Sequence, residues 1–270
     1  MVSLALALVV VALGLLPTEA RAEQTRALGH DLWIDIPVTV VSTGTAIGLQ
    51  LAAGSLASKC GWCGVNGLDD GVRNALRRND PGPARVGSDV LVVAAPFVTF
   101  AVTALGANDE ARPEDIALNS LLIAEATSIA MVVDGIAKVS LARQRPAVRG
   151  LTAADTGKRV DDNVSFFSGH ASFTFALATS AGTIALMRGY RSAPAVWAIG
   201  LPLAFATSYL RIAADRSYFT DVVGGMLVGS LVGVGAPLLF HRPALSDRVI
   251  VGGGPVEGGH VVTLTFRSPI

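Results

Sequence analysis

Charged residues are scarce in this 270-residue chain. Asp, Glu, Lys and Arg together make up 16% of it, the formal net charge is zero, and 51% of the residues are hydrophobic. Soluble domains carry about a quarter charged residues, so this composition is typical of a membrane protein. A balanced charge, with no basic stripe interleaved with aromatic residues, argues against a nucleic-acid partner.

Cysteine is almost absent as well. The two cysteines, Cys60 and Cys63, stand in a single Cys-Gly-Trp-Cys stretch. A zinc site would need two more ligands nearby, and a thioredoxin-like redox pair would need a βαβ context. The sequence offers neither, so the pair is interpreted as a local disulfide or an idle pair of thiols. We expect no metal and no cofactor.

The hydrophobic residues are concentrated in six segments that are long enough, or nearly so, to span a bilayer. All six are rich in Ala, Gly, Ser and Thr, which suits close packing of helices in lipid. They predict an all-α, multi-span membrane bundle of about six spans. The segments cover residues 33–57, 87–106, 116–137, 171–188, 194–214 and 221–240.

The two ends of the chain differ from this bundle. Residues 1–22 have the apolar run of a secretory signal peptide, and an uncleaved membrane anchor is the alternative. We assign residues 23–245 to the helical domain. The Gly-rich tail, residues 246–270, contains two short β-like stretches around the turn-forming glycines at 252–254.

A short polar stretch at the start of the fourth segment offers a place to hold an oxyanion. Ser168-Gly169-His170 would open a helix, whose first N–H groups lack internal partners and whose dipole is positive there. Gly169 permits close approach of a ligand to the backbone, and Ser168 offers a hydroxyl and an amide. His170 can exchange a proton near neutral pH. The same stretch could also be an ordinary N-cap.

Cationic residues flank this stretch in the sequence. Lys138 and Arg145 are seven residues apart, so both can lie on one helix face before Pro146 ends the helix. Downstream, Arg211 is followed by Asp221. Three cations, an amide-rich turn and a histidine form a suitable cradle for a tetrahedral oxyanion such as phosphate.

These stretches, in this order, resemble the signature of the superfamily of type 2 phosphatidic acid phosphatases and vanadium haloperoxidases. That family's first pattern, Lys-x6-Arg-Pro, is complete at residues 138–146. Its second, Pro-Ser-Gly-His, is present at 167–170 with Phe in place of Pro. The likeness covers about residues 116–240 and implies a helical membrane bundle of the phosphatidic acid phosphatase type.

The family's third pattern, Ser-Arg-x5-His-x3-Asp, is altered at residues 211–221. Arg211 and Asp221 keep their spacing, but Leu210 precedes the arginine and Ser217 occupies the position of the histidine. That histidine is the family's nucleophile and its vanadate ligand, so the resemblance implies impaired hydrolysis and disfavours haloperoxidase chemistry. Serine is a poor nucleophile without a base beside it, and Asp221, on the same helical face, is the candidate base.

The resemblance also implies roles for the other residues. His170 would protonate the leaving group, and Asp221 would orient the nucleophile position. From the spacing alone, Asp134 could form an i,i+4 pair that holds the Lys138 cation in position. The implied phosphate-binding residues are Lys138, Arg145, Ser168, Gly169 and Arg211.

Three functions remain open. We favour a phosphatase-like membrane protein that binds lipid phosphates or diphosphates and whose hydrolysis is impaired by Ser217. The alternatives are an active lipid phosphate or isoprenyl diphosphate phosphatase, and a structural bundle without ligand, so whether the chain is an enzyme is open. The likeness suggests a bacterial inner membrane and an outward-facing site, whereas the cations of loop 58–86 favour the cytoplasmic side. The sequence does not indicate an oligomeric state.

Several polar residues fall outside the three patterns. Glu125 lies in an apolar segment, where we expect it to form hydrogen bonds inside the bundle, with a proton relay as the alternative. The loop before Ser165 carries Arg149 and Lys158, either of which could contact a head group. For the histidines outside the patterns we expect no role. These are His30, His241 and His260.

Overall fold

A computed structural model of the chain describes residues 27–149, 161–242, 249–256 and 259–266. The predicted signal or anchor at 1–22, and Lys158, lie outside the described residues. The helices are α1 (Leu32–Leu56), α2 (Gly67–Leu76), α3 (Gly82–Asp109), α4 (Asp115–Leu141), α5 (Gly169–Arg188), α6 (Ala193–Ala213) and α7 (Phe219–Phe240). A short 3-10 turn, Pro146–Val148, follows α4.

Each of the predicted apolar segments forms one helix, with ends within a few residues of those expected. Five helices, α1, α3, α4, α6 and α7, are long and apolar enough to cross a membrane. The prediction of an all-α membrane bundle is therefore confirmed, while the count of six spans stays a prediction.

The helix α5 lies at the centre of the bundle and is not among those five. Of its 20 residues, 15 are buried, and it contacts α3, α4, α6 and α7. Because its neighbours cover it, α5 can carry Ser and Thr side chains that a lipid-facing helix of this length would not favour. It is the element on which the candidate site is built.

Glycines allow α7 to lie directly against α5. A Cβ added at Gly229 would stand 2.3 Å from the carbonyl oxygen of Ser172, so no larger residue fits there without a backbone shift. Small residues at such an interface let two helix backbones approach closely in lipid. The face of α7 toward α5 carries Gly225, Gly229 and Gly233. This contact places the first turns of α5 and α7 side by side.

The bundle has two ends with different chemistry. At one, which we call the site end, the C-terminal ends of α4 and α6 meet the N-terminal ends of α3, α5 and α7. At the other, which we call the opposite end, the start of α1 and residues around Gly29 meet the end of α7. The three sequence patterns all lie at the site end.

The loop between α1 and α2 contains a disulfide between Cys60 and Cys63. A local disulfide is one of the two states that the sequence predicts for this pair. Trp62 inside it is joined to the end of α4 by two backbone hydrogen bonds. Its amide donates to the Ala142 carbonyl oxygen at 3.4 Å, and its own carbonyl accepts from the Gln144 amide at 3.1 Å. The disulfide loop is therefore fixed at the site end.

The C-terminal tail contains two antiparallel strands, β1 (Val249–Val256) and β2 (Gly259–Phe266). Val249 stands opposite Phe266, and Val256 opposite Gly259. The three glycines at 252–254, which the sequence places in a turn, lie inside β1.

Candidate functional site

The predicted contact between Asp134 and Lys138 is present as a buried ion pair on α4. The Lys138 ammonium also donates to the carbonyl oxygen of Phe167 at 3.0 Å. A Cβ at Gly169 would stand 3.0 Å from Lys138 Nζ and 3.0 Å from Asp134 Oδ2. Glycine therefore allows the N-terminus of α5 to lie directly against this ion pair.

Arg145 is buried at the site end, where it holds two loops together. Its Nε donates to the carbonyl oxygen of Asp161 and its Nη1 to that of Arg216, both at 2.7 Å. Burial, followed by repulsion from Arg216, lowers the pKa of Arg145 to about 10, so the side chain stays charged at neutral pH. Burial opposes ionisation of the Asp161 carboxyl, but Arg145 and Arg216 outweigh it and lower its pKa.

Arg211, in the last turn of α6, is buried with an incomplete set of partners. The residue is 6% exposed, and its Nε has no hydrogen-bond partner among the described residues. Its Nη1 lies 3.6 Å from Asp89 Oδ1, and both Arg145 and Arg216 repel it electrostatically. A buried guanidinium in this state is costly unless an anion reaches it. This side chain is therefore a candidate for stabilising a ligand oxygen.

Asp89, near the start of α3, is a residue of the site that the sequence patterns do not include. Its Oδ1 lies 3.0 Å from Nε2 of His170 and is the same atom that approaches Arg211. The side chain is 51% exposed, so the site opens to solvent here. The available signal was that Asp89 is the one charged residue within the apolar segment 87–106.

Ser168 and Ser217 meet at the centre of the site. The Ser217 hydroxyl donates to the Ser168 hydroxyl at 3.3 Å, and both residues are buried. The Ser168 amide donates to the Asp221 carbonyl oxygen at 2.9 Å, so only its hydroxyl is left for a ligand. The amides of Gly169 and His170, in the first turn of α5, have no acceptor inside the helix and are better placed to meet an anion.

The Asp221 carboxylate is hydrogen-bonded by donors other than the Ser217 hydroxyl. Its Oδ1 accepts from Arg143 at 2.5 Å, and its Oδ2 accepts from the Ser165 hydroxyl at 2.6 Å and from the Tyr218 amide at 2.8 Å. The expectation that Ser217 and Asp221 share a helical face is wrong, because α7 begins only after Ser217. The carboxylate caps the first turn of α7, and among the described residues no hydrogen bond joins it to the Ser217 hydroxyl.

Arg143 organises this part of the site, although no pattern singles it out. It is fully buried, and its guanidinium donates to Asp221, to Asp69 Oδ2 at 2.6 Å and to Thr220 Oγ1 at 2.8 Å. Asp69 in turn accepts from the Thr220 amide at 2.8 Å. The cation therefore connects the end of α4 to α2 and to the start of α7.

Two aromatic rings enclose the Arg143 guanidinium. Its central carbon lies 3.9 Å from the ring centroid of Trp62 and 4.5 Å from that of Tyr218. Such stacking favours Arg over Lys, since the guanidinium is planar and weakly hydrated. Because Trp62 lies between Cys60 and Cys63, the disulfide loop forms one wall of this buried network.

These features define an integral membrane helical bundle with buried cations gathered around a helix N-terminus at one end. The family model described as PAP2 superfamily matches residues 117–243, which contain all three sequence patterns. No curated protein matches the chain significantly. Among solved structures, the chain is similar to the crystal structure of the first transmembrane PAP2 type phosphatidylglycerolphosphate phosphatase from Bacillus subtilis. That similarity covers 71% of this chain and 94% of the other, with 17% sequence identity and a TM-score of 0.36.

Proposed function

We propose that this protein is a membrane protein of the PAP2 type that binds the phosphate of a lipid phosphate or diphosphate at its site end, with little or no hydrolysis. The observation that carries the proposal is Arg211, a buried guanidinium whose Nε lacks a partner among the described residues. The match of residues 117–243 to the PAP2 superfamily supports the same class of ligand.

A phosphate group suits the charges around Arg211. Lys138 is neutralised by Asp134, and Arg216 pairs with Asp161, so these cations have anionic partners within the protein. Among the described residues, the only ion pair of Arg211 is the 3.6 Å approach of the exposed Asp89 carboxylate. A phosphate oxygen could accept from Nε of Arg211 and from the free amides at the start of α5, and such charge-assisted hydrogen bonds are the strong ones.

The same geometry argues against efficient hydrolysis. The Ser217 hydroxyl donates to Ser168 and has no contact with a base among the described residues, since the Asp221 carboxylate is occupied by Arg143, Ser165 and Tyr218. An alcohol without a neighbouring base is a weak nucleophile. His170, whose Nε2 lies 3.0 Å from Asp89 Oδ1, is the candidate general acid, but an acid alone does not open a phosphate ester. Loss of a nucleophile has cost about a millionfold in turnover elsewhere.

Binding can be tested on the detergent-purified protein with orthovanadate and with a short-chain phosphatidate as probes. We expect Arg211→Ala to weaken both by about tenfold or more, because a hydrogen bond to a charged group is worth roughly 1.5–3 kcal/mol. The matched control is Arg191→Ala, an exposed cation beyond the other end of α5, which should leave binding unchanged. Equal binding by Arg211→Ala and Arg191→Ala would favour the structural bundle.

Catalysis can be tested by restoring the imidazole. We expect Ser217→His to raise phosphatidate hydrolysis above the level of the natural protein, while Ser217→Ala leaves that level unchanged. In the Ser217→His background, His170→Ala should lower turnover about 100-fold or more, as for other general acids. Robust turnover by the natural protein that Ser217→Ala abolishes would instead show an active phosphatase with a serine nucleophile.

A further inference from the structure

A second cluster of ionisable side chains lies at the opposite end of the bundle. It joins Asp35 in the first turn of α1, Glu125 in α4 and His241 directly after α7. One ligand atom from each lies within 4.8 Å of the other two, and the residues are only 5%, 4% and 2% exposed. Glu125 precedes Lys138 on the same helix by about 20 Å along the axis, so this cluster is separate from the candidate phosphate site.

Two atoms of the cluster lack partners. Neither Glu125 Oε2 nor His241 Nε2 has a hydrogen-bond partner among the described residues. The distance from His241 Nε2 to Glu125 Oε1 is 3.5 Å, which is long for a hydrogen bond between these groups. Polar atoms buried this deeply are normally satisfied, so two of them on facing side chains indicate a missing ligand between them.

The proton on His241 is fixed by a backbone contact. Its Nδ1 lies 3.1 Å from the carbonyl oxygen of Gly29, which can only accept, so Nδ1 carries a proton. In the neutral ring, Nε2 then presents its lone pair to Glu125 and Asp35. Histidines that bind metals commonly donate their other ring N–H to a backbone carbonyl in this way.

The two carboxylates of the cluster also lack a lysine or arginine partner. No ion pair between described residues joins Asp35 or Glu125 to a lysine or arginine. The Asp35 Oδ2 accepts from the Asp31 amide at 3.0 Å, which leaves the other carboxylate oxygen for the cluster. Two buried carboxylates and an imidazole nitrogen within 4.8 Å of one another form a donor set that a divalent cation would neutralise.

We propose that Asp35, Glu125 and His241 bind one divalent transition-metal ion, for which Zn²⁺ is the fitting probe. Zinc accepts a mixed imidazole and carboxylate ligand set at about 2.0–2.2 Å, so the three atoms need to close only slightly around it. Magnesium is disfavoured, because it retains several waters and prefers oxygen ligands alone, and this cluster is buried and contains an imidazole.

Such an ion would fasten α1 to the bundle. Of the 25 residues of α1, two are buried, and one of these is Asp35. Its principal helix contact is with α4, which carries Glu125. A metal held by Asp35, Glu125 and His241 would join the start of α1 to α4 and to the end of α7, where apolar packing of α1 is sparse. The sequence predicted no metal, because the three ligands are far apart along the chain.

The competing explanation is a shared proton. A proton on Glu125 would be donated to Nε2 of His241, and a proton on Nε2 would be donated to Glu125. In either form the cluster would need no metal. In that case Glu125→Gln would keep a donor toward His241, the natural protein would bind no Zn²⁺ in the cluster, and the proposal would fail.

The first test uses the full-length protein in detergent after chelation, with Zn²⁺ alone as the probe. We expect about one ion per chain by elemental analysis and a rise in unfolding temperature on adding Zn²⁺. Glu125→Gln and His241→Asn should each weaken Zn²⁺ binding at least tenfold and remove the rise. His30→Ala, which removes a nearby exposed imidazole, is the matched control and should change neither. Stabilisation by Zn²⁺ that survives both cluster variants would overturn the proposal.

A second measurement needs no variant and therefore remains informative if the variants fail to fold. The chelated natural protein is titrated with Co²⁺, which reports a low-coordinate nitrogen and oxygen site by its visible absorption. We expect one equivalent of Co²⁺ to give such a band and Zn²⁺ to displace it. A titration without the band, or a band that Zn²⁺ does not remove, would contradict the assignment.

Discussion

Replacing Arg143 by methionine would test whether its buried cation organises the site end. Methionine keeps much of the apolar length of the side chain but removes the guanidinium. Asp69 and Asp221, both fully buried, would then lose their hydrogen bonds of 2.6 and 2.5 Å to a charged partner. The stacking on Trp62 and Tyr218 would lose its cationic part as well.

The expected loss is about 3–5 kcal/mol of unfolding free energy, the range for removing one partner of a buried ion pair. The remaining side-chain and amide donors do not neutralise the two carboxylates, because all of them are uncharged. They belong to Asn66, Ser165, Tyr218 and Thr220. Adding Asp69→Asn to the Arg143→Met background should recover part of the loss, because it removes one of the two stranded charges. Together with the Asp69→Asn variant alone, the recovery gives the coupling energy between Arg143 and Asp69.

The free energy can be followed by equilibrium unfolding of the purified protein in mixed micelles. The matched control is Arg149→Met, which removes the cation of the Arg149–Asp70 pair on the surface. That pair is 44% and 41% exposed, and solvent screening limits it to about 0–1 kcal/mol. If Arg143→Met cost no more than Arg149→Met, the buried network would not be the element that holds α2, α4 and α7 together.

Two further predictions concern the packing of α7 and the charge at the mouth of the site. Gly229→Leu should destabilise the bundle by about 1–3 kcal/mol in the same assay, since its Cβ would lie 2.3 Å from a backbone oxygen of α5. Gly235→Leu, where nothing lies within 4 Å, should be neutral, and equal effects would contradict the close α5–α7 contact. Asp89→Asn should tighten orthovanadate binding several-fold, because it removes a competing anion 3.6 Å from Arg211. Weaker orthovanadate binding by Asp89→Asn would instead mean that Asp89 holds His170 and Arg211 in position. The matched control is Glu114→Gln at the opposite end, which should leave binding unchanged.

The features that could be predicted from sequence are those with a local cause. The length and composition of each apolar segment determine where a helix lies, because a span of lipid needs about 20 apolar residues. The contact between Asp134 and Lys138 follows from the helical repeat alone, and the structure has it. The three sequence patterns likewise meet at one end of the bundle because their helices alternate in direction.

The features that could not be predicted depend on pairs that are distant along the chain. Arg143 contacts Asp69 across 74 positions, and His170 contacts Asp89 across 81. Nothing in the local spacing indicates either pair. The relation of Ser217 to Asp221 failed for a different reason, since a spacing of four implies a shared face only where both residues are helical.

The side of the membrane that the site faces can be argued from the same contacts. Counting the cations of loop 58–86 favours the cytoplasm, but two of them, Arg73 and Arg77, pair with Asp215 inside the protein. Arg73 forms a bidentate ion pair with Asp215, at 2.6 and 2.7 Å. Its charge is therefore explained by the fold and should not be counted as evidence for the cytoplasmic side. The Cys60–Cys63 disulfide lies at the same end, and disulfides persist in oxidising compartments. The site end is therefore expected to face away from the cytoplasm.

Thiol labelling of intact cells would decide this. After treatment with a membrane-impermeant reductant, a membrane-impermeant maleimide should label Cys60 and Cys63 without permeabilisation, because both would lie outside. A chain carrying Cys60→Ser, Cys63→Ser and Arg191→Cys should label only after permeabilisation, since Arg191 lies between α5 and α6 at the opposite end. Labelling in the reverse order would place the phosphate site in the cytoplasm. It would also contradict the inference from the disulfide, because the cytoplasm keeps thiols reduced.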